Sequence, residues 1–193
     1  MACIALTGWQ MGPRSSALNE FEQFHRMIAK TGPGIQRARQ QVNQAYVLML
    51  SGQFQGYCRD LHSEGVDHLA DCVQPHSMRT MLTAEFHFGR KLDTGNPNSG
   101  NIGNDFNRFG FDFWGSLLAY DPHLKAHQDE LRSINDWRNA IAHQSFDPVK
   151  LGGSATLRHS QIKLWRKSCD VPAEAFASVL ANQLAVVTGS KPW

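Results

Sequence analysis

Between Pro33 and Pro75 the chain carries no proline, and from about Ile35 to Val73 apolar side chains recur at helical spacing. Val42, Ala45, Tyr46, Met49, Leu50, Phe54, Tyr57 and Leu61 carry the pattern, in a background rich in Gln, Ala and Leu. Such a pattern over such a length predicts one long helix. A helix of that kind buries its apolar side against other helices, which points to a bundle. Gly52, Gly56 and Gly65 interrupt it. Glycine lowers helix propensity, so these positions predict a kink or a close helix contact.

The flanking segments repeat the theme. Ser15 or Ser16 can cap a helix through Leu18, Phe21, Phe24 and Ile28, stopped by the Thr-Gly-Pro-Gly run at 31–34. Pro75 restarts the chain into a helix to about Leu92. Residues 93–105, dense in Gly, Asn and Pro, read as a long surface loop. A phosphate-cradling loop is disfavoured there, because neither GxGxxG nor GK[ST] is present and no strand precedes it. A helix from about Asp105 to Tyr120 places Phe106, Phe109, Phe113 and Leu117 on one face. Asp121-Pro122 then reads as a cap with proline at the first helical position, opening a helix to about Ser145.

After Leu151-Gly-Gly the period changes. Ala155, Leu157, Ile162 and Leu164 alternate with polar residues, which predicts a short β-hairpin over 154–166. A last helix starts near Pro172 and carries Phe176, Leu180, Leu184 and Val187. The expected architecture is all-α, a single helical domain over 1–193 with a short β-hairpin near the C-terminus.

Composition narrows the class further. An apolar fraction of 41% with five tryptophans argues against disorder, and a formal charge of +2 neither announces nor excludes a nucleic-acid partner. Cys3, Cys58, Cys72 and Cys169 form no CxxC pair and match no zinc-site spacing, so they read as free thiols. The apolar start MACIALTGWQMGP lacks a basic leader region, and no uncharged apolar run approaches the length of a membrane span. A cytoplasmic protein without a membrane segment is expected.

The segment Arg-Asn-Ala-Ile-Ala-His at 138–143 carries most of the functional argument. Stepping about 100° per residue places Leu131, Trp137 and Ile141 on the core side with Ile134. Asn139 and His143 stack one turn apart on the far side, while Arg138 falls inside the apolar sector. A guanidinium there must snorkel out or find a partner. A structural account would pair it with a carboxylate and leave His143 to solvent.

Arg-Asn, three residues and then His, on the penultimate long helix of a small all-α domain, resembles the Arg-x4-6-His motif of the HEPN superfamily. Residues 48–69 are similar to the long early helix of HEPN proteins of the RiboL-PSP type, with Phe54 and Tyr57 preceding the basic-acidic pair Arg59-Asp60. The resemblance covers roughly 35–188 and departs from the family at Gln53 and Gly56, where a carboxylate or a larger residue is expected.

This resemblance implies an endoribonuclease that needs no metal and no cofactor. It cleaves by attack of a ribose 2′-hydroxyl, leaving a 2′,3′-cyclic phosphate. The residue types suit that chemistry. Histidine exchanges protons near neutral pH, and an always-charged planar arginine can clamp phosphoryl oxygens. The implied catalytic set is Arg138, His143 and Asn139, supported by Asp60 or Arg59. On an ideal helix Arg138 and His143 are about 140° apart, so one copy poorly focuses both on one phosphate. HEPN domains resemble one another in pairing as dimers, and a homodimer acting on RNA is expected, as a toxin or defence effector with an antitoxin or regulatory partner. The competing reading is a catalytically inactive HEPN-like module that binds RNA or a partner protein.

Three further stretches carry weaker signals. His123 and His127 have the i,i+4 spacing of a metal pair but lack an evident third ligand, so no metal site is expected. Glu85, His87, Arg90 and Lys91 surround two phenylalanines that read as core. Arg158, Lys163, Arg166 and Lys167 with Trp165 could bind single-stranded RNA through phosphate contacts and base stacking, or could simply protect an edge strand.

Overall fold

A computed structural model of the chain describes residues 2–28 and 34–193. Nine helices succeed one another among the described residues: α1 Ile4–Gln10, α2 Pro13–Met27, α3 Ile35–Asp71, α4 Ser77–His87, α5 Lys91–Thr94, α6 Ser99–Phe106, α7 Phe113–Tyr120, α8 Leu124–His143 and α9 His159–Thr188. No strand occurs among the described residues.

The long helix expected from the sequence is α3. Tyr46, Leu50, Phe54, Tyr57, Leu61 and Val66 along it are fully buried. It packs against α1, α2, α4, α8 and α9, so it is the axis of the bundle. Two of its three glycines mark close approaches. A Cβ at Gly65 would meet Leu180 and Phe109 at 3.0–3.1 Å, and one at Gly56 would strike the Arg14 guanidinium, whereas Gly52 faces open space. Arg14 lies across α3 at that gap, donating to Gln53 Oε1 at 3.0 Å and pairing with Asp60.

The β-hairpin is not formed. Residues 159–166 are the first turns of α9, and 154–158 run without regular structure. Ile162, Trp165 and Cys169 are buried at helical spacing, whereas Leu164, needed on the inner face of a strand, is 57% exposed. Ile162 shares its buried face with Trp165 and Cys169, three and seven residues on, and not with Leu164 two residues on. Pro172, read as a helix start, lies inside α9. A proline there removes one backbone hydrogen bond, but it is buried in the interior together with Ala173 and Phe176.

Other boundaries shifted for local reasons. Helix α1 precedes the first expected helix; the Glu64 carboxylate on α3 accepts from the Ile4 and Ala5 amides at 2.8 and 2.9 Å and fixes its N-terminus. Helix α2 starts at Pro13 rather than at a serine cap. Its expected stop at 31–34 lies, apart from Gly34, outside the described residues. The expected loop over 93–105 contains α6, capped by Asn98 Oδ1 accepting from the Asn101 amide at 2.8 Å. Gly110 adopts a left-handed φ of 84° and separates α6 and its 3-10 extension from α7, which Asp112 caps.

Helix α9 is long and apolar enough to cross a membrane by length and composition, yet half of that apolar window is buried inside this bundle. It forms the core with α3: Tyr57 donates to the Ala173 carbonyl at 2.6 Å, and Phe176 packs 4.9 Å from Phe113.

One polar residue of α3 sits in an aromatic cage. His62 is fully buried, 5.1 Å from Phe109 and 5.7 Å from Phe106, and neither ring nitrogen has a partner among the described residues. Burial, reinforced by the charges of Arg90, His87 and Arg108, pushes its pKa down to about 3. The unfolded chain takes up this proton near pH 6.5 and the folded chain only near 3, so the contribution to stability is whole at pH 7 and is lost as pH falls through that window. Unfolding free energy should therefore fall by up to about 1.4 kcal/mol per pH unit below pH 6.5 from this group alone. Urea titrations at pH 7, 6 and 5 check this, and the His62→Leu variant should show the shallower pH slope.

Candidate functional site

Helix α8 presents the motif as its helical wheel requires. Ile134, Trp137, Ala140 and Ile141 are buried, and Arg138 and Asn139 lie half-buried beside them. Arg138 forms no ion pair among the described residues; its Nη1 donates to Asn139 Oδ1 at 3.2 Å. The carboxylate partner of the purely structural account is therefore not present among the described residues. His143 is the last residue of α8 and is exposed. The helix stops there because Gln144 turns left-handed, with φ 51°, and its amide closes onto the Ala140 and Ile141 carbonyls.

Asn139 is held from two sides. The same Oδ1 that accepts from Arg138 also accepts from Asn96 Nδ2 at 2.7 Å. One turn earlier, Asn135 Nδ2 donates to the Pro97 carbonyl at 3.2 Å. The glycine- and asparagine-rich segment before α6 is thus docked on α8 next to the motif.

The start of that segment is anchored to α3 through Asp93. Its Oδ1 accepts from Arg90 Nη2 at 2.7 Å and pairs with Arg59 Nε at 3.0 Å. Burial alone would raise the Asp93 carboxyl, but the Arg90 hydrogen bond and the charges of Arg90 and Arg59 outweigh it and hold it below the usual carboxylate range. Arg90, only 8% exposed, also donates to Ser63 Oγ and the Arg59 carbonyl. Arg59 is therefore tied to the segment that reaches Asn139. Asp60 faces the other way and pairs with Arg14. Neither residue bonds directly to Arg138 or His143 among the described residues, and the motif's own arginine and histidine share no hydrogen bond within one copy.

The basic stretch expected as a hairpin is redistributed by α9. Trp165 is 1% exposed and donates from Nε1 to Glu130 Oε2 at 2.7 Å, so its ring belongs to the core and offers no face to a base. Arg166 is turned inward to Glu22 Oε1 at 3.0 Å and the Tyr46 hydroxyl at 3.4 Å. Arg158, Lys163 and Lys167 are exposed. His127 Nδ1 lies 3.0 Å from Ser168 Oγ, and among the described residues no group of three His, Cys, Asp or Glu side chains is placed to hold a metal.

Sequence patterns missed one cluster entirely. His25 of α2 stacks on His159 of α9 beside Arg39 and Asn43 of α3. Only the i,i+4 spacing of Arg39 and Asn43 was visible in the sequence, and that spacing is ordinary on a helix.

No protein-family model matches the chain, and no curated protein or solved structure is significantly similar to it.

The 93–98 segment is held at its two ends by contacts of unequal weight, Asp93 to Arg90 and Arg59 and Asn96 to Asn139 of α8. Asn96→Ala removes one neutral hydrogen bond, at a cost of about 1 kcal/mol. Asp93→Ala leaves the buried Arg90 guanidinium without its carboxylate and should cost more, about 1–3 kcal/mol after allowing for the partial exposure of Asp93. Urea denaturation of both variants should give that order.

Proposed function

We propose that this chain is a HEPN-like, metal-independent endoribonuclease that acts as a homodimer, with Arg138 and His143 as its reacting pair. The observation that carries the reading is the state of Arg138. It is fixed on Asn139, five residues before an exposed histidine on the same helix, and among the described residues no carboxylate neutralises it, which leaves donors for an anion. The all-helical fold and the placement of the motif at the end of a long helix agree with the resemblance.

In this reading an imidazole of His143 accepts the proton of a ribose 2′-hydroxyl as that oxygen attacks the adjacent phosphorus. The bond from phosphorus to the 5′-oxygen breaks, and an imidazolium returns a proton to the departing 5′-oxygen. The products are a 2′,3′-cyclic phosphate and a 5′-hydroxyl. Arg138 binds the non-bridging oxygens, where negative charge builds. Asn139, already accepting from Arg138, orients the guanidinium. Arg59 supports the site through Asp93 and the 93–98 segment; the pairing of Asp60 with Arg14 gives it no such route. Two copies related by a two-fold axis near α8 would place two motifs along one RNA backbone. A role as a toxin or defence effector, restrained by an antitoxin or regulatory partner, follows from the resemblance alone.

Labelled single-stranded RNA incubated in EDTA tests this. The wild-type protein should cut it and leave 2′,3′-cyclic phosphate ends, while His143→Ala and Arg138→Ala should each lose about 10²-fold or more in rate with the fold retained. Mixing the two variants should restore part of the cleavage, because a mixed dimer holds one intact histidine and one intact arginine. RNA affinity that weakens with salt, without cleavage by any form, would favour the inactive binding module instead.

A further inference from the structure

A pocket of about 620 Å³ lies where α2, α3 and the approach to α9 meet. Its walls include His25, Arg39, Asn43, Arg158 and His159. Three of these carry buried polar atoms that no described residue satisfies: Arg39 Nε, Asn43 Oδ1 and His159 Nδ1. Asn43 is only 5% exposed, and its amide orientation is fixed because Nδ2 donates to the Leu157 carbonyl at 2.8 Å. Its oxygen is therefore an acceptor deprived of a donor, which is costly unless a ligand supplies one.

The surroundings favour an anion. Arg39 on α3, Arg158 just before α9 and Lys163 on α9 outnumber Glu22, the carboxylate whose charge reaches His159, and Glu22 is already engaged by Arg26, Arg166 and Tyr46. The His25 and His159 rings stack with centroids 3.7 Å apart and planes within 6°. Burial comes first and the neighbouring cations second in holding both imidazoles below their ordinary pKa, so the pair is poised to take up a proton when negative charge arrives. Helices α3 and α9 both begin at this pocket, through Gln36 and His159, and neither has a side-chain cap. Their first-turn amides add to the positive potential.

We propose that this pocket binds a small phosphomonoester, its phosphate held by Arg39, Arg158 and the histidine pair while the Asn43 carbonyl accepts from a hydroxyl or amino group of the same molecule. The volume suits a ligand of mononucleotide size. The buried position of the unsatisfied atoms selects a compact ligand over the continuous backbone of a nucleic acid. The site shares none of its residues with the Arg138–His143 pair, and the proposal stands whether or not the chain cleaves RNA.

Calorimetric titration of the His143→Ala protein with ribose 5-phosphate, adenosine 5′-monophosphate and inorganic phosphate tests it. The two esters should bind, inorganic phosphate more weakly, and Arg39→Gln or His159→Gln added to that background should each weaken ester binding at least tenfold while circular dichroism and melting temperature stay close to the parent's. Repeating the titration in two buffers of different ionisation enthalpy should show proton uptake on binding. No heat from any probe at millimolar concentration, or binding that both variants leave unchanged, would overturn the assignment. So would displacement of the ester by an oligoribonucleotide lacking a terminal phosphate at equal nucleotide concentration, which would make the pocket part of an RNA path.

Discussion

Burial of α3 along its length, outside an exposed stripe through Gln41, Ala45, Leu48, Gly52 and Arg59, is the constraint from which the remaining structure follows. At about 1.5 Å per residue a helix of 37 residues is roughly 55 Å long. No single neighbour covers such a length, so α1, α2, α4, α8 and α9 divide it among them. Each must reach the axis closely. Gly65 admits Leu180 and Phe109, and Gly56 admits the Arg14 side chain. The apolar majority of the axis then forms one continuous core with Phe106, Phe113 and Phe176.

The polar residues on that axis carry the connections that apolar packing cannot specify. Glu64 fixes the start of α1, Tyr57 reaches the backbone of α9, and Asn43 holds the irregular approach to α9 through Leu157. Arg59 meets Asp93, and through Asp93 the axis controls the segment that lies on Asn139. The motif on α8 is thus positioned by two layers of hydrogen bonds as well as by its own buried face. A guanidinium and an imidazole on one helix gain a defined setting only when the elements beside them are fixed in this way.

Two kinds of unsatisfied histidine occur in the fold, and their surroundings separate them. His62 is enclosed by Phe86, Phe106 and Phe109, with the charges of Arg90 and Arg108 nearby, and stays neutral. It fills space at the cost of an unpaired ring. His159 instead lines an open pocket in company with other unsatisfied atoms, uncapped helix ends and an excess of cations. An isolated orphan in an apolar cage reads as packing, whereas convergent orphans beside a polar opening read as a missing ligand.

The sequence by itself determined what depends on periodicity within one segment. The long axis, the buried face of α8 through Ile134, Trp137 and Ile141, and the apolar side of α9 through Phe176, Leu180 and Leu184 were legible, because a helix places side chains by spacing alone, although Val187 on the same spacing is exposed. The same logic failed over 154–166, where a window too short to separate the two periods met a proline that α9 accommodates inside the core. Residue roles that need a second segment were decided only by the tertiary structure. Asp60 faces Arg14, 46 residues away, rather than α8, and Arg166 turns to Glu22, 144 residues away, rather than to solvent. His25, Arg39, Asn43 and His159 converge from three helices with no common pattern. Charge pairing and burial act through space, and a spacing rule along the chain holds no information about which distant helix will lie alongside.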